Sequence, residues 1–426
     1  MAEIADLRSG LLAASLAEVD PEIARLIDGD RGRQADTIDL IASESTAPAA
    51  VLETLGSILS NKTGEGYPGH RYHRGTAWVD GVETVAIERA KALFGADHAN
   101  VQPHAGVNAN LAVYQAVLKP GDRVLAMRLA HGGHLSHGDR ASITGRVYDF
   151  AHYGVRAVDE QIDLDEVRAL ALRHRPRLII AGGSAYPRII DYAAFAEIAR
   201  EVDALFHVDM AHIAGLVAAG VLPSPVPHAD FVTFTTYKTL LGPHGGVILC
   251  RAAYARKVDR AIFPGTQGAP DFGRIAAKAV AFRIAAGPWF HEVQQRIVDD
   301  ARALGEALMA RGDRLVSGGT DTHLVLVDLR ARGTTGDVAE RALEAAGILS
   351  NRNMIPFDPG NPDVPSGVRF GTSSVAERGF GPPEMAEIGS LIDAALHAAD
   401  EPDRLAAIAE TVVALARRFP GYPVRQ

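Results

Sequence analysis

Short runs of consecutive apolar residues alternate along this chain with longer segments of helical periodicity. The clearest predicted strands are residues 123–127, 178–181, 205–209, 231–235 and 247–250. Runs that are apolar on successive residues are typical of strands in a sheet covered on both faces. Helices are predicted between them, as at 163–173 and 192–201, each beginning at or near a polar capping residue. The alternation predicts an α/β fold with a largely parallel sheet.

The pattern changes after about residue 290. A helix is predicted there from apolar residues at helical spacing, and Gly312 ends it. The residues that form this spacing are Ile297, Ala301, Leu304 and Leu308. A strand at 324–329 and a helix at 337–346 follow, and an amphipathic helix at 404–418 lies near the end of the chain. These elements predict a smaller α+β unit.

We therefore divide the 426 residues into three predicted units. They are an N-terminal helical arm at 1–40, a large domain at 41–288 and a small C-terminal α+β domain at 289–426. At roughly 150 residues per domain, the length of the chain is consistent with two or three domains.

Composition and charge exclude several classes of protein. Hydrophobic residues make up 47% of the chain and charged residues 22%, which rules out wholesale disorder. The net charge of -9 argues against a nucleic-acid partner. The N-terminus is not a secretory signal, and no run reaches the roughly 20 apolar residues of a membrane span. The single cysteine, Cys250, excludes an intramolecular disulfide and fits a reducing, cytoplasmic setting.

A lysine follows the predicted strand at 231–235 and precedes a Gly-rich loop, in the segment FVTFTTYKTLLGPHGG. Judged by position alone, Lys238 is more often a solvated loop residue than a catalytic one. A lysine at the mouth of a buried strand can, however, form a Schiff base once its surroundings favour the neutral amine.

An aspartate ends the predicted strand at 205–209, in the segment LFHVDMAHIAG. A buried carboxylate is costly unless it has a partner. The protonated ring nitrogen of pyridoxal phosphate (PLP) is one partner for Asp209, and His212 could then reach the ring oxygen of the same cofactor. The alternative is a helix-capping aspartate beside a structural histidine.

Two Gly-containing segments add to the candidate chemistry. NVQPHAGVNAN, at 100–110, predicts a turn into a helix whose backbone N–H groups can bind a phosphate. LAHGGHLSHG, at 129–138, has three histidines but no i, i+4 pair with a nearby glutamate. Glycines let a flat ligand approach the backbone closely, so we predict an imidazole stacked on a ring and no metal site.

With these segments, the chain resembles the serine hydroxymethyltransferases, PLP enzymes of the aspartate-aminotransferase fold type (fold type I). The resemblance runs from about Asp39 to Phe380. It rests on long motifs in the same order: DLIASES, NKTGEGYPGHRYHRG, NVQPHAGVNAN, LAHGGHLSHG, VDMAHIAGLVAAG, TTYKTLLGPHGG, FPGTQGAP, SGGTDTHLVLVDL and SGVRFGTSS. It implies a mostly parallel seven-stranded sheet, tetrahydrofolate as co-substrate, and an obligate homodimer or tetramer with active sites shared between subunits.

The resemblance also implies roles around the cofactor. Lys238 would carry PLP as a Schiff base, and Asp209 would pair with the ring nitrogen. His134 would stack on the ring, and His212 would form a hydrogen bond near the ring oxygen. Thr235 belongs with these catalytic residues. The other cofactor-binding positions implied are Ala105, Gly106, Val107, Ser184, Thr63, Gly265 and Gly268.

For the substrates, the resemblance implies that Arg369 binds the amino-acid carboxylate as a bidentate fork, with Ser43 assisting. Glu65 would be the acid/base for the hydroxymethyl proton, with Tyr72 close to it. His73 belongs to the same substrate-binding set. The folate positions implied are Leu129, Gly133, Leu135 and Asn351.

Several positions depart from the family pattern, and we expect them to cluster around the cofactor. The family usually has Tyr at Thr63 and at His73, His at Tyr237, Arg at His244, Ser at Ala105 and Val107, and Thr-Pro-Ala at 372–374. Without the hydroxyls of the phosphate turn, PLP binding is expected to be weaker.

The smaller side chains of Thr63 and His73 suggest room for a substituent on the substrate Cα. The leading prediction is therefore a hydroxymethyltransferase that converts 2-methylserine and tetrahydrofolate to D-alanine and 5,10-methylenetetrahydrofolate. The alternatives are an ordinary serine (glycine) hydroxymethyltransferase and a folate-independent aldolase of 2-methylserine or threonine type.

Overall fold

A computed structural model of the protein describes residues 10–358 and 363–422. Residues 1–9 of the predicted arm lie outside the described part of the chain. So do residues 359–362 and 423–426 of the predicted C-terminal domain.

Strands and helices alternate through most of the described chain. The strands are β1 (Ile38–Asp39), β2 (Gly66–Tyr67), β3 (His70–Arg71), β4 (His98–Asn100), β5 (Arg123–Met127), β6 (Asp149–Tyr153), β7 (Leu178–Ala181), β8 (Leu205–Asp209), β9 (Phe231–Thr235), β10 (Gly246–Cys250), β11 (Arg314–Leu315), β12 (Leu324–Asp328), β13 (Ile348–Leu349), β14 (Asn351–Asn353) and β15 (Gly367–Gly371). The helices are α1 (Leu16–Val19), α2 (Pro21–Asp36), α3 (Ala49–Leu55), α4 (Ala77–Phe94), α5 (Gly106–Val117), α6 (Ile143–Val147), α7 (Leu164–His174), α8 (Tyr192–Glu201), α9 (Ala214–Ala218), α10 (Ala255–Arg260), α11 (Phe272–Ala285), α12 (Pro288–Met309), α13 (Gly336–Ala345), α14 (Ser373–Arg378), α15 (Pro382–His397) and α16 (Pro402–Arg418). None of these described helices combines the length and apolar character needed to cross a membrane.

The central sheet has seven strands in the order β4-β10-β9-β8-β7-β5-β6. From β9 to β6 each neighbouring pair is parallel, whereas β10 runs antiparallel to both β9 and β4. Every residue of β7, β9 and β10 is buried, because helices cover both faces of the sheet. The predicted α/β class and mostly parallel seven-stranded sheet are confirmed.

Polar side chains cap the helices that were predicted between the strands. The Asp163 side chain accepts hydrogen bonds from the backbone N–H groups of Asp165 and Glu166 at the start of α7. The Asp191 side chain accepts one from Ala194 at the start of α8. These bonds satisfy N–H groups that lack a partner within the helix, so the boundaries are set locally by the sequence.

A second, antiparallel sheet of order β11-β12-β15-β14 lies in the C-terminal part of the described chain. Beside it β1 pairs in parallel with β13, which brings the segment after α2 onto this region. Helices α13, α15 and α16 cover this region and contribute Leu343, Ile388 and Val412 to a separate hydrophobic core.

Helix α12 belongs to two hydrophobic cores. Its first half places Phe290, Val293 and Ile297 in the core of the large sheet. Its second half places Leu304 and Leu308 in the core of the C-terminal sheet. The predicted domain boundary falls at the first turn of this helix, and the three-unit division stays a prediction.

The carboxyl ends of the parallel strands bring the predicted chemistry together. Asp209 is the last residue of β8 and Thr235 the last residue of β9. Leu129 follows β5 by two residues, and Ser184 follows β7 by three. In open α/β sheets ligands bind at this edge, so the candidate site lies there.

Candidate active site

Lys238 lies three residues beyond the end of β9 and is buried. Burial lowers the pKa of its ammonium to about 8; Asp209 opposes this shift and the positive charge of Arg369 adds to it. A lower pKa increases the fraction of neutral amine near neutral pH, and the neutral amine is the nucleophile that attacks an aldehyde.

Asp209 carries a negative charge held by three hydrogen-bond donors. Its Oδ2 accepts hydrogen bonds from Nδ2 of Asn110 at 2.7 Å and from Nε2 of His137 at 3.0 Å. Its Oδ1 accepts one from the backbone N–H of Ala211 at 3.0 Å. Burial raises the pKa of this carboxyl, but the His137 and Asn110 bonds outweigh burial and hold the pKa below its usual range. Asp209 is therefore anionic and suited to a protonated ring nitrogen.

Asn110 and His137 were assigned no role from the sequence. The orientation of the Asn110 side chain is itself fixed by hydrogen bonds. The Thr233 hydroxyl donates to its Oδ1, and Nε2 of His207 lies 2.8 Å from that hydroxyl. Both residues lie in segments that were quoted as motifs, NVQPHAGVNAN and LAHGGHLSHG. Their common partner lies far away in the chain, so no local signal could assign them to it.

His134 and His212 are both neutral. Nδ1 of His134 lies 2.8 Å from Oγ of Ser136 and accepts the Ser136 backbone N–H at 3.1 Å. Burial lowers the pKa of His134 to about 4. His212 is also buried, which lowers its pKa, and its Nδ1 lies 3.3 Å from Nε2 of His323. A neutral imidazole can stack on a ring or form a hydrogen bond without adding charge.

Ligand atoms of His134, His137 and Asp209 lie within 4.8 Å of one another, a spacing that a metal ion could use. The Asp209 oxygen nearest to His137 already accepts two hydrogen bonds, and His134 is bonded to Ser136. A cation here would have to break these bonds. The absence of a resident metal stays a prediction.

The predicted phosphate turn lies at the start of α5. Ala105 is its N-terminal capping residue in an extended conformation, and Gly106 begins the helix. A Cβ on Gly106 would lie 2.6 Å from Cγ2 of Thr235, so the approach of the turn to β9 requires glycine. The Thr235 hydroxyl donates to the carbonyl of Ala211 at 3.2 Å. The turn offers backbone N–H groups with no side-chain hydroxyl at 105–107.

Arg369, on β15, joins the substrate, cofactor and folate positions. Its Nη1 donates to the carbonyl of Ser184 at 2.5 Å, and its Nε donates to Oδ1 of Asn351 at 3.0 Å. The Ser184 hydroxyl donates to the carbonyl of Gly133 at 2.7 Å. Burial lowers the pKa of Arg369 to about 10, so the guanidinium remains charged at neutral pH. A buried cation with remaining N–H donors suits a carboxylate.

Ser43 lies in a segment that is tied to the site on both sides. The Ala42 carbonyl accepts a hydrogen bond from Nε2 of His323 at 3.1 Å. The Ser45 hydroxyl donates to the carbonyl of Tyr237 at 2.6 Å. The Ser43 side chain is itself half-buried.

The two apolar folate positions differ in environment. Leu129 begins a short 3-10 turn, Leu129–His131, and is half-buried. Leu135 is 52% exposed. An exposed leucine next to buried histidines gives the site an apolar edge.

Lys238, Asp209, His134 and His212 form what we call the lysine group. Five further site positions form a second set, the Glu65 group: Thr63, Glu65, Tyr72, His73 and Gly268. In this group Nδ1 of His73 accepts the backbone N–H of Glu65 at 3.3 Å. A Cβ on Gly268 would lie 3.6 Å from Oε1 of Glu65.

Within the described part of the chain, no hydrogen bond connects the Glu65 group to the lysine group. Tyr72 is 77% exposed and touches Phe263 with ring centroids 5.5 Å apart, and Thr63 is exposed as well. No hydrogen bond, ion pair or ring contact between described residues joins either residue to Lys238. Gly265 lies close to the side chain of Gln115 on α5 rather than to the lysine group.

Arg71 and Glu83 fix the backbone on both sides of Glu65. Arg71 donates to the carbonyls of Gly64 and Gly66 and forms an ion pair with Glu83, in which both side chains are buried. Glu83 also accepts from Nε2 of Gln102 at 2.7 Å. The position of Glu65 is therefore set by a buried network, although its own side chain is only half-buried.

Two of the departures from the family pattern contact each other. The rings of Tyr237 and His244 stack with centroids 3.8 Å apart and an interplanar angle of 12°. Lys238 Nζ lies 5.9 Å from the Tyr237 ring. The two changes therefore form one packed unit beside the candidate Schiff-base lysine.

The fold and these residues define a PLP-dependent enzyme of fold type I. Comparison with known proteins gives the family. A family model described as "Serine hydroxymethyltransferase" matches residues 16–392. A curated relative from Rhodospirillum rubrum, "Serine hydroxymethyltransferase 2", is 53% identical over 420 residues, which cover 97% of this chain and 98% of that protein. The chain belongs to the serine hydroxymethyltransferase family, whose members are PLP-dependent hydroxymethyltransferases with tetrahydrofolate as co-substrate.

Proposed function

We propose that this protein transfers the hydroxymethyl group of L-serine to tetrahydrofolate and leaves glycine. The observation that carries this proposal is the connection of Arg369 to Ser184, on the same edge of the sheet as Lys238 and Asp209. A carboxylate bound by Arg369 would present an amino acid to the lysine group. The 53% identity to a serine hydroxymethyltransferase supports serine better than the predicted 2-methylserine.

The residues of the site fit PLP. Lys238 would bind its aldehyde carbon, anionic Asp209 would retain the proton on its ring nitrogen, and the N–H groups of the Ala105–Val107 turn would bind its phosphate. Neutral His134 would cover the ring, and His212 would lie near the ring oxygen. When bound, PLP supplies the ring that accepts electrons as the Cα–Cβ bond breaks.

The other site residues would bind and orient the two substrates. Arg369 would hold the amino-acid carboxylate with Ser43, which fixes the bond that is to be broken. Glu65 would hold or deliver the proton of the hydroxymethyl group, with Tyr72 and His73 beside it.

The folate positions lie on both sides of Arg369. Asn351 accepts a hydrogen bond from Arg369 directly. Gly133 is connected through Ser184, whose carbonyl accepts from Arg369 and whose hydroxyl donates to the Gly133 carbonyl. Leu129 and Leu135 would supply apolar contacts to the pteridine. These contacts support a folate-dependent transfer over the folate-independent aldolase reaction.

A second candidate substrate is 2-methylserine, which would leave D-alanine. The observation that favours it is the environment of Thr63 and His73. Thr63 is small and exposed, and His73 turns its Nδ1 to the backbone of Glu65. Neither side chain fills the space that a tyrosine at the same position would take, so a methyl group on Cα could be accepted.

The homodimer with shared active sites belongs to the same proposal. Its support is that no hydrogen bond, ion pair or ring contact among the described residues joins the Glu65 group to the lysine group, although the acid/base and the Schiff-base lysine must reach one substrate. A second copy could bring its Glu65 group to the lysine group of the first. The cytoplasmic location predicted from the sequence stays a prediction.

Product formation by PLP-loaded enzyme tests the proposal. L-serine and 2-methyl-L-serine would each be supplied with and without tetrahydrofolate, and glycine and D-alanine would be quantified. Folate-dependent glycine in excess of alanine is the expected result. Folate-dependent D-alanine in excess of glycine would show that 2-methylserine, not serine, is the preferred substrate. Products formed equally without folate would contradict the proposed transfer to tetrahydrofolate.

A further inference from the structure

A buried ammonium group lies next to the segment that leads into the phosphate turn. Lys278, on α11, is 1% exposed, and its Nζ donates to three backbone carbonyls. These are the carbonyls of Val101 at 2.7 Å, Pro103 at 3.0 Å and Gly246 at 2.8 Å. All three protons are used, and the fit is close, because a Cβ on Gly245 would lie 2.4 Å from Cε of Lys278.

This charge has no carboxylate partner among the described residues. Their ion pairs include no contact of Lys278 within 4.0 Å. Carbonyl dipoles satisfy its hydrogen bonds but do not neutralise its charge. A buried charge without a counter-charge is costly, so an anion bound nearby would stabilise it.

The three carbonyls belong to the two segments that meet at the phosphate turn. Val101 and Pro103 lead directly to Ala105, the residue that caps α5. Gly246 follows the loop that begins at Lys238, and its backbone N–H donates to the carbonyl of Pro103 at 3.0 Å. Lys278 thus fixes the turn relative to the loop of the Schiff-base lysine.

We propose that Lys278 is a positioning residue for the PLP phosphate, which holds the turn in place and supplies the positive charge that the phosphate compensates. The inference rests on the proposed placement of the phosphate at the Ala105–Val107 turn. Residues 105–107 have no side-chain hydroxyls, so the turn can donate to the phosphate only through its backbone N–H groups. The charge of Lys278 therefore contributes a larger share of phosphate binding.

A residue with a purely structural role would affect cofactor binding in a different way. If Lys278 only stabilised the fold as a whole, its loss would weaken the binding of PLP and of pyridoxal, which lacks the phosphate, by the same factor. If Lys278 acts on the phosphate, through the position of the turn and through its charge, the binding of PLP would be weakened more. The ratio of the two dissociation constants therefore isolates the proposed effect.

The experiment titrates apoenzyme with PLP and with pyridoxal, followed by the absorbance of the bound cofactor. It compares wild type, Lys278→Gln, which keeps two N–H donors but no charge, and the matched surface change Lys257→Gln. We expect the preference of Lys278→Gln for PLP over pyridoxal to fall about tenfold or more, with Lys257→Gln unchanged. An unchanged preference in Lys278→Gln would overturn the inference. No preference for PLP in wild type would instead contradict the phosphate site itself.

Wild-type enzyme supplies a second measurement if Lys278→Gln does not fold. Burial lowers the pKa of Lys278 to about 7; Arg274 lowers it further, and Asp271 and Glu83 raise it. As the pH rises from about 7 to about 9.5, loss of this proton should reduce the preference for PLP. Ionisation of Lys238 affects both ligands and cancels in the ratio. A preference that stays constant over this range would overturn the inference.

Discussion

The lysine group and the Glu65 group represent two different ways of building half of an active site. In the lysine group the side chains are buried or half-buried, and Asp209 accepts hydrogen bonds from Asn110 and His137, which lie in distant segments of the same chain. In the Glu65 group His73 accepts a hydrogen bond from the nearby Glu65 backbone, and Tyr72 packs against Phe263 but is largely exposed.

The difference between the two groups shows which part of the active site a single chain forms by itself. The environment of Asp209 and Lys238 depends on burial, and burial is provided by the central sheet of the same chain. In the Glu65 group the backbone is held by Arg71, Glu65 and His73 are half-buried, and Thr63 and Tyr72 are exposed. The exposed side chains fit the proposed sharing of active sites in a homodimer.

The largest expected effect comes from the centre of the lysine group. Lys238→Ala removes the amine that would bind the cofactor, so glycine formation from serine should fall by at least about a thousandfold. The bound-cofactor absorbance should change as well. Lys257→Ala, on the surface, is the matched control and should keep wild-type activity. Activity of Lys238→Ala within about tenfold of wild type would contradict the assigned role.

Co-expression of two inactive variants tests whether the two groups meet between chains. Lys238→Ala and Glu65→Gln, each with a different tag, would be purified as mixed dimers. Each mixed dimer would contain one intact site out of two, so the purified mixed dimers should recover roughly one half of wild-type activity. Mixed dimers that remain as inactive as either parent would show that both groups act within the same chain.

A smaller loss is expected when the charge of the lysine group is removed and its shape is kept. Asp209→Asn can no longer retain the proton on a ring nitrogen, so kcat should fall by about a hundredfold. Asp203→Asn makes the same chemical change at an exposed position and should be silent. Equal activity of the two variants, measured as glycine released, would show that Asp209 is only structural.

The smallest effect is expected in the Glu65 group, on specificity. Thr63→Tyr adds volume where the family usually has tyrosine, so kcat/KM for 2-methylserine should fall relative to that for serine by about tenfold. Thr411→Tyr, on the exposed face of α16, controls for the added ring. A constant ratio would mean that Thr63 does not contact the Cα substituent.

The sequence predicts the features that are local. Strands such as Leu178–Ala181 are apolar throughout, and Asp209 and Lys238 are noticeable because they lie at or just after the ends of strands. Their roles came from the family resemblance. The residues that tune them could not be found in this way. His137 is separated from Asp209 by 72 positions and Asn110 by 99, so only the fold reveals these hydrogen bonds.

The family resemblance identified other site residues, and the structure adds the residues that support the site. Lys278 lies in a helix whose apolar pattern gives no reason to single out a lysine, and its carbonyl partners are in distant segments. His323 likewise gains meaning only through its contacts with His212 and Ala42. The serine hydroxymethyltransferase family is confirmed, while the preference for 2-methylserine is not.

Helix α12 has a consequence for how the protein unfolds. Because Phe290 and Ile297 lie in one hydrophobic core and Leu304 and Leu308 in the other, neither core can lose this helix without exposing apolar surface of its neighbour. Helix formation is itself cooperative along its length. The two sheets should therefore melt in a single transition, and heat or denaturant would remove the Arg369 and Lys238 sides of the site together.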